Sequence, residues 1–214
     1  MSLFTDTLRV IQDKPDQFWE AVGIHLQLCF VALFISFLVS YPLGVYLSKR
    51  NRLSMAVLNV LYLGKIIPGL AVLAFLMPYV GVGFTPALIA LIIFAIPTML
   101  INTVIAFKGV DKSVLEAARG MGMDPLRILL KIETPLALPV VLTGVRTAVV
   151  EVIAAAALAS FIGGGGLGDF IINGIALAQT PMLLAGAIPI SMIAFGGDIV
   201  FGIVEKAARK RTGY

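Results

Sequence analysis

The sequence predicts an all-α integral membrane protein with about five membrane-spanning helices and one polar hairpin set between them. Composition is the first reason. Of 214 residues, 59% are hydrophobic and 13% charged, and the mean hydropathy is +1.02, outside the range of a domain with a solvated surface. The second is the stretch from Lys65 to Lys108, which holds no ionisable side chain between its ends except tyrosine. It is long enough for about two helices at roughly 20 residues per crossing. The third is continuity: a barrel strand alternates apolar and polar residues, whereas these runs are apolar throughout, leaving the helix as the way to satisfy backbone groups in lipid.

Taken in order, residues 1–20 carry Asp6, Arg9, Asp13, Lys14, Asp16 and Glu20 among Phe4, Leu8, Ile11, Phe18 and Trp19. This mixture reads as an interfacial helix with Trp19 at headgroup level. It is not read as a cleaved signal peptide, because no short apolar region with a small-residue cleavage site follows; the first span directs insertion. Spans are expected at residues 22–48, 54–79, 86–107, 138–162 and 182–204. Pro42, Pro68, Pro97 and Pro189 fall inside them and are expected to kink their helices. Cys29 is the only cysteine and His25 the only histidine, so neither a disulfide within the chain nor a metal site is expected. No linker or long repeat divides the chain, which reads as one transmembrane domain over residues 1–214.

Lysine and arginine set the expected orientation. Lys49, Arg50 and Arg52, then Lys108, Lys112, Arg119, Arg127 and Lys131, then Lys206, Arg209, Lys210 and Arg211 all fall on one side of a five-span chain. The other side receives Arg9 and Lys14 among four acids, the uncharged turn at residues 81–83, and Asp169. The expectation is a multi-pass membrane protein with its N-terminus outside and its C-terminus cytoplasmic. A sixth crossing within residues 170–178 would invert the basic tail and is not expected. The pI near 9.3 follows from this topology, and no nucleic-acid partner is expected.

The insert at residues 108–135 reads as a hairpin of two short helices. Ser113 with Glu116 three residues on is a capping box, and Val114, Ala117, Ala118 and Met121 follow helical spacing. Gly120 and Gly122 end that helix, Gly122 supplying a positive φ for the reversal. Asp124 then caps a second helix that Pro125 opens. Leu126, Leu129, Leu130 and Ile132 are expected to face the membrane or the first helix, and Pro135 to end the segment. A polar hairpin with a small-residue face, kept within so apolar a chain, suits a water-soluble partner.

Glu116, Ala117, Ala118, Gly122, Ile132 and Pro135 resemble the signature loop of ATP-binding-cassette importer permeases, with Thr134 where that family usually has Leu. The resemblance implies an importer-type permease fold in which Ser113, Glu116, Ala117, Ala118, Gly120 and Gly122 form a cytoplasmic coupling helix in a cleft of an ABC ATPase. The stretches Ile66–Leu91, Val114–Met123, Leu138–Ala148 and Gly163–Ile171 are similar to permeases importing glycine betaine, choline, carnitine or proline as osmoprotectants. Methionine permeases share the five-span plan. The implied partners are a cytoplasmic ATPase dimer, a second permease copy or paralogue, and an extracytoplasmic substrate-binding protein. No cofactor is expected in this chain, because ATP would be bound by the ATPase, and the chain itself is not expected to be an enzyme.

The run Gly163 to Gly168 lacks the following Lys-Ser or Lys-Thr of a phosphate loop. It reads as a flexible outer-face turn with a short re-entrant piece, with Gly163, Gly166 and Asp169 in the outer-face loop and Asp169 a candidate contact for the binding protein. Lys65, Arg146 and Glu151 are read as the ionisable residues deep in the spans, where charge usually has a partner or a function. Lys65 and Glu151 lie at similar expected depth and are candidates, with Pro68, for the translocation pathway. A secondary transporter would call for inverted repeats and usually more spans. A channel would call for a filter or charged ring. A membrane enzyme would call for a nucleophile and base near one interface. None of these patterns is found in the sequence.

Overall fold

The structure, a computed structural model, describes residues 3–212; Met1, Ser2, Gly213 and Tyr214 lie outside the described residues, as do the side chains of Leu70, Thr212 and Arg211, the last counted in the basic tail. The described residues form helices and turns, with no strand among them. In chain order the helices are α1 (Leu3–Asp13), α2 (Pro15–Ser48), α3 (Asn51–Gly64), α4 (Gly69–Val80), α5 (Phe84–Lys108), α6 (Lys112–Gly120), α7 (Pro125–Ile128), α8 (Thr134–Ala159), α9 (Gly168–Ala176) and α10 (Thr180–Thr212).

Among the described residues, four helical stretches are long and apolar enough to cross a membrane: Pro15–Ser48, Phe84–Lys108, Pro125–Ile162 and Thr180–Lys210. They correspond to four of the expected spans. The first begins earlier than expected. Pro15, whose fixed φ suits a first helical position, opens a helix that runs unbroken through residues 15–20 into the apolar region, so of the expected interfacial segment only α1 stands apart from the first span.

The expected span at 54–79 is two helices. Pro68, at φ −58° and ψ 135°, is the N-cap of α4 and not a kink within a helix. A proline disfavours the helical region for the residue before it and offers no N–H to the carbonyl four residues back, here that of Gly64. Pro42, Pro97 and Pro189 do sit inside α2, α5 and α10.

Pro135 does not end the hairpin's second helix, contrary to expectation. The chain passes from α7 through a π-helical turn, Leu129–Glu133, directly into α8. A π turn hydrogen-bonds over five residues, and this wider turn accommodates a proline that can neither donate nor tolerate a close carbonyl in the preceding α turn.

Two compact units are built from these elements. One comprises Met1–Ile35, Ile67–Ala95 and Val149–Gly197, with Leu28, Ala87, Leu91, Val152 and Leu167 in its interior. The other comprises Ser36–Ile66, Ile96–Ala148 and Asp198–Tyr214. Among its buried residues are a cluster of Ala106, Phe107, Val110, Ala137 and Val141 and another of Leu47, Leu100 and Val104. Lipid offers little hydrophobic drive between helices, so small residues that admit close packing matter more. Gly144 of α8 lies against the Asn102 side chain of α5, and Gly44 of α2 against Thr103, each with no room for a Cβ.

Candidate functional site

The hairpin begins at Asp111. Its carboxylate accepts the Ser113 N–H at 2.8 Å and caps α6, a contact that holds the Asp111 carboxyl below the usual carboxylate range. The expected cap is Ser113 with Glu116; both instead lie inside the helix and are exposed, because Asp111 reaches the free amides first. The two faces of α6 differ. Leu115 packs on the cluster of Phe107 and Ala137, and Ala118 is fully buried within the chain. Val114 (39% exposed), Ala117 and Met121 (74%) form an apolar strip on the surface. Gly120 is exposed at the helix end, and Gly122 turns the chain at φ +77°, as the sequence requires. The Asp124 carboxylate then accepts the Arg127 N–H at 2.9 Å, with Pro125 opening α7. Leu129 packs on the core, while Leu126 and Leu130 stay exposed.

At the foot of the hairpin lies a charged contact that sequence reasoning misses. Glu133, 4% exposed in the π turn, accepts from the Lys49 ammonium at the end of α2. The next residue, Thr134, shares a hydrogen bond of 3.3 Å with the Tyr41 hydroxyl, and the Tyr41 ring stacks on Phe37 and meets Phe107 edge-on.

Lys65, Glu151 and Arg146, the residues expected at depth, sit in different surroundings. Lys65 and Pro68 lie in the exposed break between α3 and α4, and the Lys65 ammonium donates to Thr98 Oγ1 at 2.8 Å. Glu151 is a half-buried residue of α8. Arg146 pairs with Asp198, through Nε to Oδ1 at 2.6 Å and Nη2 to Oδ2 at 2.7 Å. Its Nη1 lies 3.5 Å from Glu205 Oε2, and Glu205 accepts from Arg209 at 2.9 Å. Gly202 leaves space for the guanidinium, since a Cβ there would lie 3.2 Å from Arg146 Cζ. Asp198 is absent from the charges expected at depth. The signal is present, because Asp198, Gly202 and Glu205 fall on one helical face at i, i+4 and i+7.

The glycine run is a packed turn. Gly163, Gly165 and Gly166 have positive φ, the Gly83 N–H donates to the Ile162 carbonyl at 2.6 Å, and Ser160 Oγ donates to the Gly165 carbonyl at 3.0 Å. Gly166 is buried beside His25, and Gly163 is exposed. α9 follows, nine residues long, and so too short for a crossing. Asp169 in its first turn is half-buried and lines a cavity of about 450 Å³ with Asp13, Lys14, Glu20, Asn173 and Gln179.

A model of the family described as the binding-protein-dependent transport system inner membrane component matches residues 36–210. The chain belongs to this family. Among similar permeases is the carnitine transport permease protein OpuCB of Listeria monocytogenes, 40% identical over 88% of this chain and 85% of the relative. The glycine betaine/carnitine/choline transport system permease protein OpuCB of Bacillus subtilis is 39% identical over 92% of this chain and 90% of its own. The fold is also that of a chain of the MetNI methionine ABC transporter in inward-facing conformations, with TM-score 0.76, 22% identity and coverage of 90% and 96%. The importer-type permease fold implied by the signature loop is thus present, as an all-helical multi-pass membrane protein.

Proposed function

We propose that this permease is the membrane-spanning subunit of an ATP-driven importer for an osmoprotectant of the glycine betaine, choline, carnitine or proline class. The observation that carries the substrate class is the identity of 38 to 40% to permeases named for carnitine, choline and glycine betaine, over 85% or more of the chain. The hairpin supports the mechanism: the ordered, exposed strip of Val114, Ala117 and Met121 offers an ATPase a shallow surface that its backbone can approach closely. Ser113, Glu116, Gly120 and Gly122 frame that strip, and Ala118 braces it from inside.

In this reading the chain acts as one transmembrane domain and binds no cofactor, and ATP is held by two copies of a cytoplasmic ATPase. The solute pathway forms against a second permease, identical or paralogous, because four or five spans are too few to wall it alone. Lys65, Pro68 and Glu151 are assigned to that pathway, and an extracytoplasmic binding protein docks near Gly163, Gly166 and Asp169. The N-terminus lies outside and the C-terminus in the cytoplasm, following the lysine and arginine distribution.

Reconstitution with the ATPase and binding protein tests the reading. Uptake of labelled betaine, choline or carnitine should require ATP, stop with vanadate and survive collapse of ion gradients. Uptake driven by an ion gradient without ATP would replace this reading with a secondary transporter. Methionine uptake in place of these solutes would correct the substrate. Single cysteines at Asn51 and Ser113 in a Cys29→Ser background should label only from the cytoplasm, and one at Gly166 only from outside.

A further inference from the structure

The Glu133 carboxylate is a buried charge that the proposed coupling surface leaves unused. It sits in the π turn Leu129–Glu133, where the hairpin runs into α8. A carboxylate taken out of water is tolerated where a cation meets it, and the Lys49 ammonium does so from the end of α2. Thr134, one residue on, is bonded to Tyr41 of the same helix at 3.3 Å. Two successive residues at the foot of α8 are therefore fastened to α2 at points about 12 Å apart along its axis, at roughly 1.5 Å per residue. π turns interrupt regular α hydrogen bonding and recur at functional positions. A helix that carries one between a docking element and a span has a place to bend there.

We infer that Glu133 and Lys49 are a positioning pair that clamps the foot of α8 to α2, so that displacement of the hairpin carries both spans together instead of being lost as bending at the π turn. The inference rests on the reading of α6 as the ATPase contact. Neither residue is assigned a contact with solute or nucleotide, so the pair sets the efficiency of coupling and leaves binding unchanged.

The test measures uptake and ATP hydrolysis together in the reconstituted complex with its ATPase and binding protein. A wild-type complex that imports without ATP overturns the functional reading and this inference with it. Given ATP-driven wild-type uptake, Lys49→Met and Glu133→Gln are each expected to lower solute moved per ATP hydrolysed several-fold, with unchanged KM for ATP and unchanged half-saturation by the loaded binding protein. Lys49→Arg should keep the ratio, and the exchange Lys49→Glu with Glu133→Lys should restore part of it. If Lys49→Met fails to assemble because Glu133 is left unpaired, the double variant Lys49→Met with Glu133→Gln removes both charges, and the same loss is expected. A wild-type ratio in the assembled single variants, or in that double variant, overturns the clamp while leaving the importer reading intact.

Discussion

Arg146 grips Asp198 at two points, 2.6 and 2.7 Å, joining the α8 and α10 segments of one compact unit. A guanidinium presents a planar fork that matches both carboxylate oxygens, and an ammonium does not. Arg146→Lys should therefore lower the thermal unfolding midpoint in detergent, and Arg146→Ala should lower it further. Removing one charge leaves the other without its main partner, so Arg146→Ala combined with Asp198→Ala should lie nearer wild type than either single alanine variant. Additive losses in the double variant would mean that the contact contributes nothing as a pair.

Gly144 tests packing in the same unit. A Cβ at that position enters the Asn102 side chain, so Gly144→Leu must displace it. Overpacking of this kind costs roughly 1–3 kcal/mol. The expected readout is a lower midpoint and less folded protein after extraction, with Gly144→Ala intermediate.

Gly122 separates backbone strain from steric crowding. Its φ is +77°, and nothing lies within 4 Å of the point where a Cβ would stand, so substitution meets open space. Gly122→Ala should cost the turn roughly 1–2 kcal/mol from conformation alone. Faster amide exchange across α6 and α7 would report it, and Gly122→Asn, which tolerates the left-handed region better, should recover part of the protection.

Asp111 makes the first turn of α6 pH-dependent. The Ser113 amide holds its folded-state carboxyl below the ordinary value of about 3.9, so the cap's contribution is complete above that value and fades as pH falls through the lower, folded one. Helix content of the hairpin should thus be insensitive to pH in the neutral range. Asp111→Asn should keep the cap and remove the acid dependence, whereas Asp111→Ala should fray the first turn at every pH, seen as faster exchange at Leu115.

Ala117 and Ala118 are neighbours in sequence with opposite expected effects. Ala118→Leu crowds the chain's own interior and should destabilise the isolated permease. Ala117→Glu should leave the isolated chain as stable as wild type and weaken association with the ATPase, measured by co-purification. Equal loss of stability in both variants would contradict the assignment of faces.

What is legible in the sequence is what local chemistry decides. Gly122 and the Asp124-Pro125 pair specify a turn and a helix start within a few residues, and both stand as expected. The cap of α6 lies two residues before the expected one because Asp111 and Ser113 are both good caps, and backbone geometry chooses between them. Pro135 misleads because local pattern does not announce a π turn, which lets a helix pass a proline that would otherwise end it. Pro68 misleads in the other direction, standing at a break between two helices where a kink within one is expected. Partners distant in sequence are the hardest to see. The Lys49–Glu133 contact joins segments that periodicity treats separately, and Asp198 hides inside an otherwise apolar run.

The packing of Leu115 and the burial of Ala118 have a thermodynamic consequence for whatever covers the opposite side of α6. Ordering a loose segment during association typically costs several kcal/mol and leaves a large heat-capacity signature. Here that ordering is completed during folding of the permease itself. A partner meeting Val114, Ala117 and Met121 finds a finished surface, so its association should show a small heat-capacity change, in proportion to the strip alone.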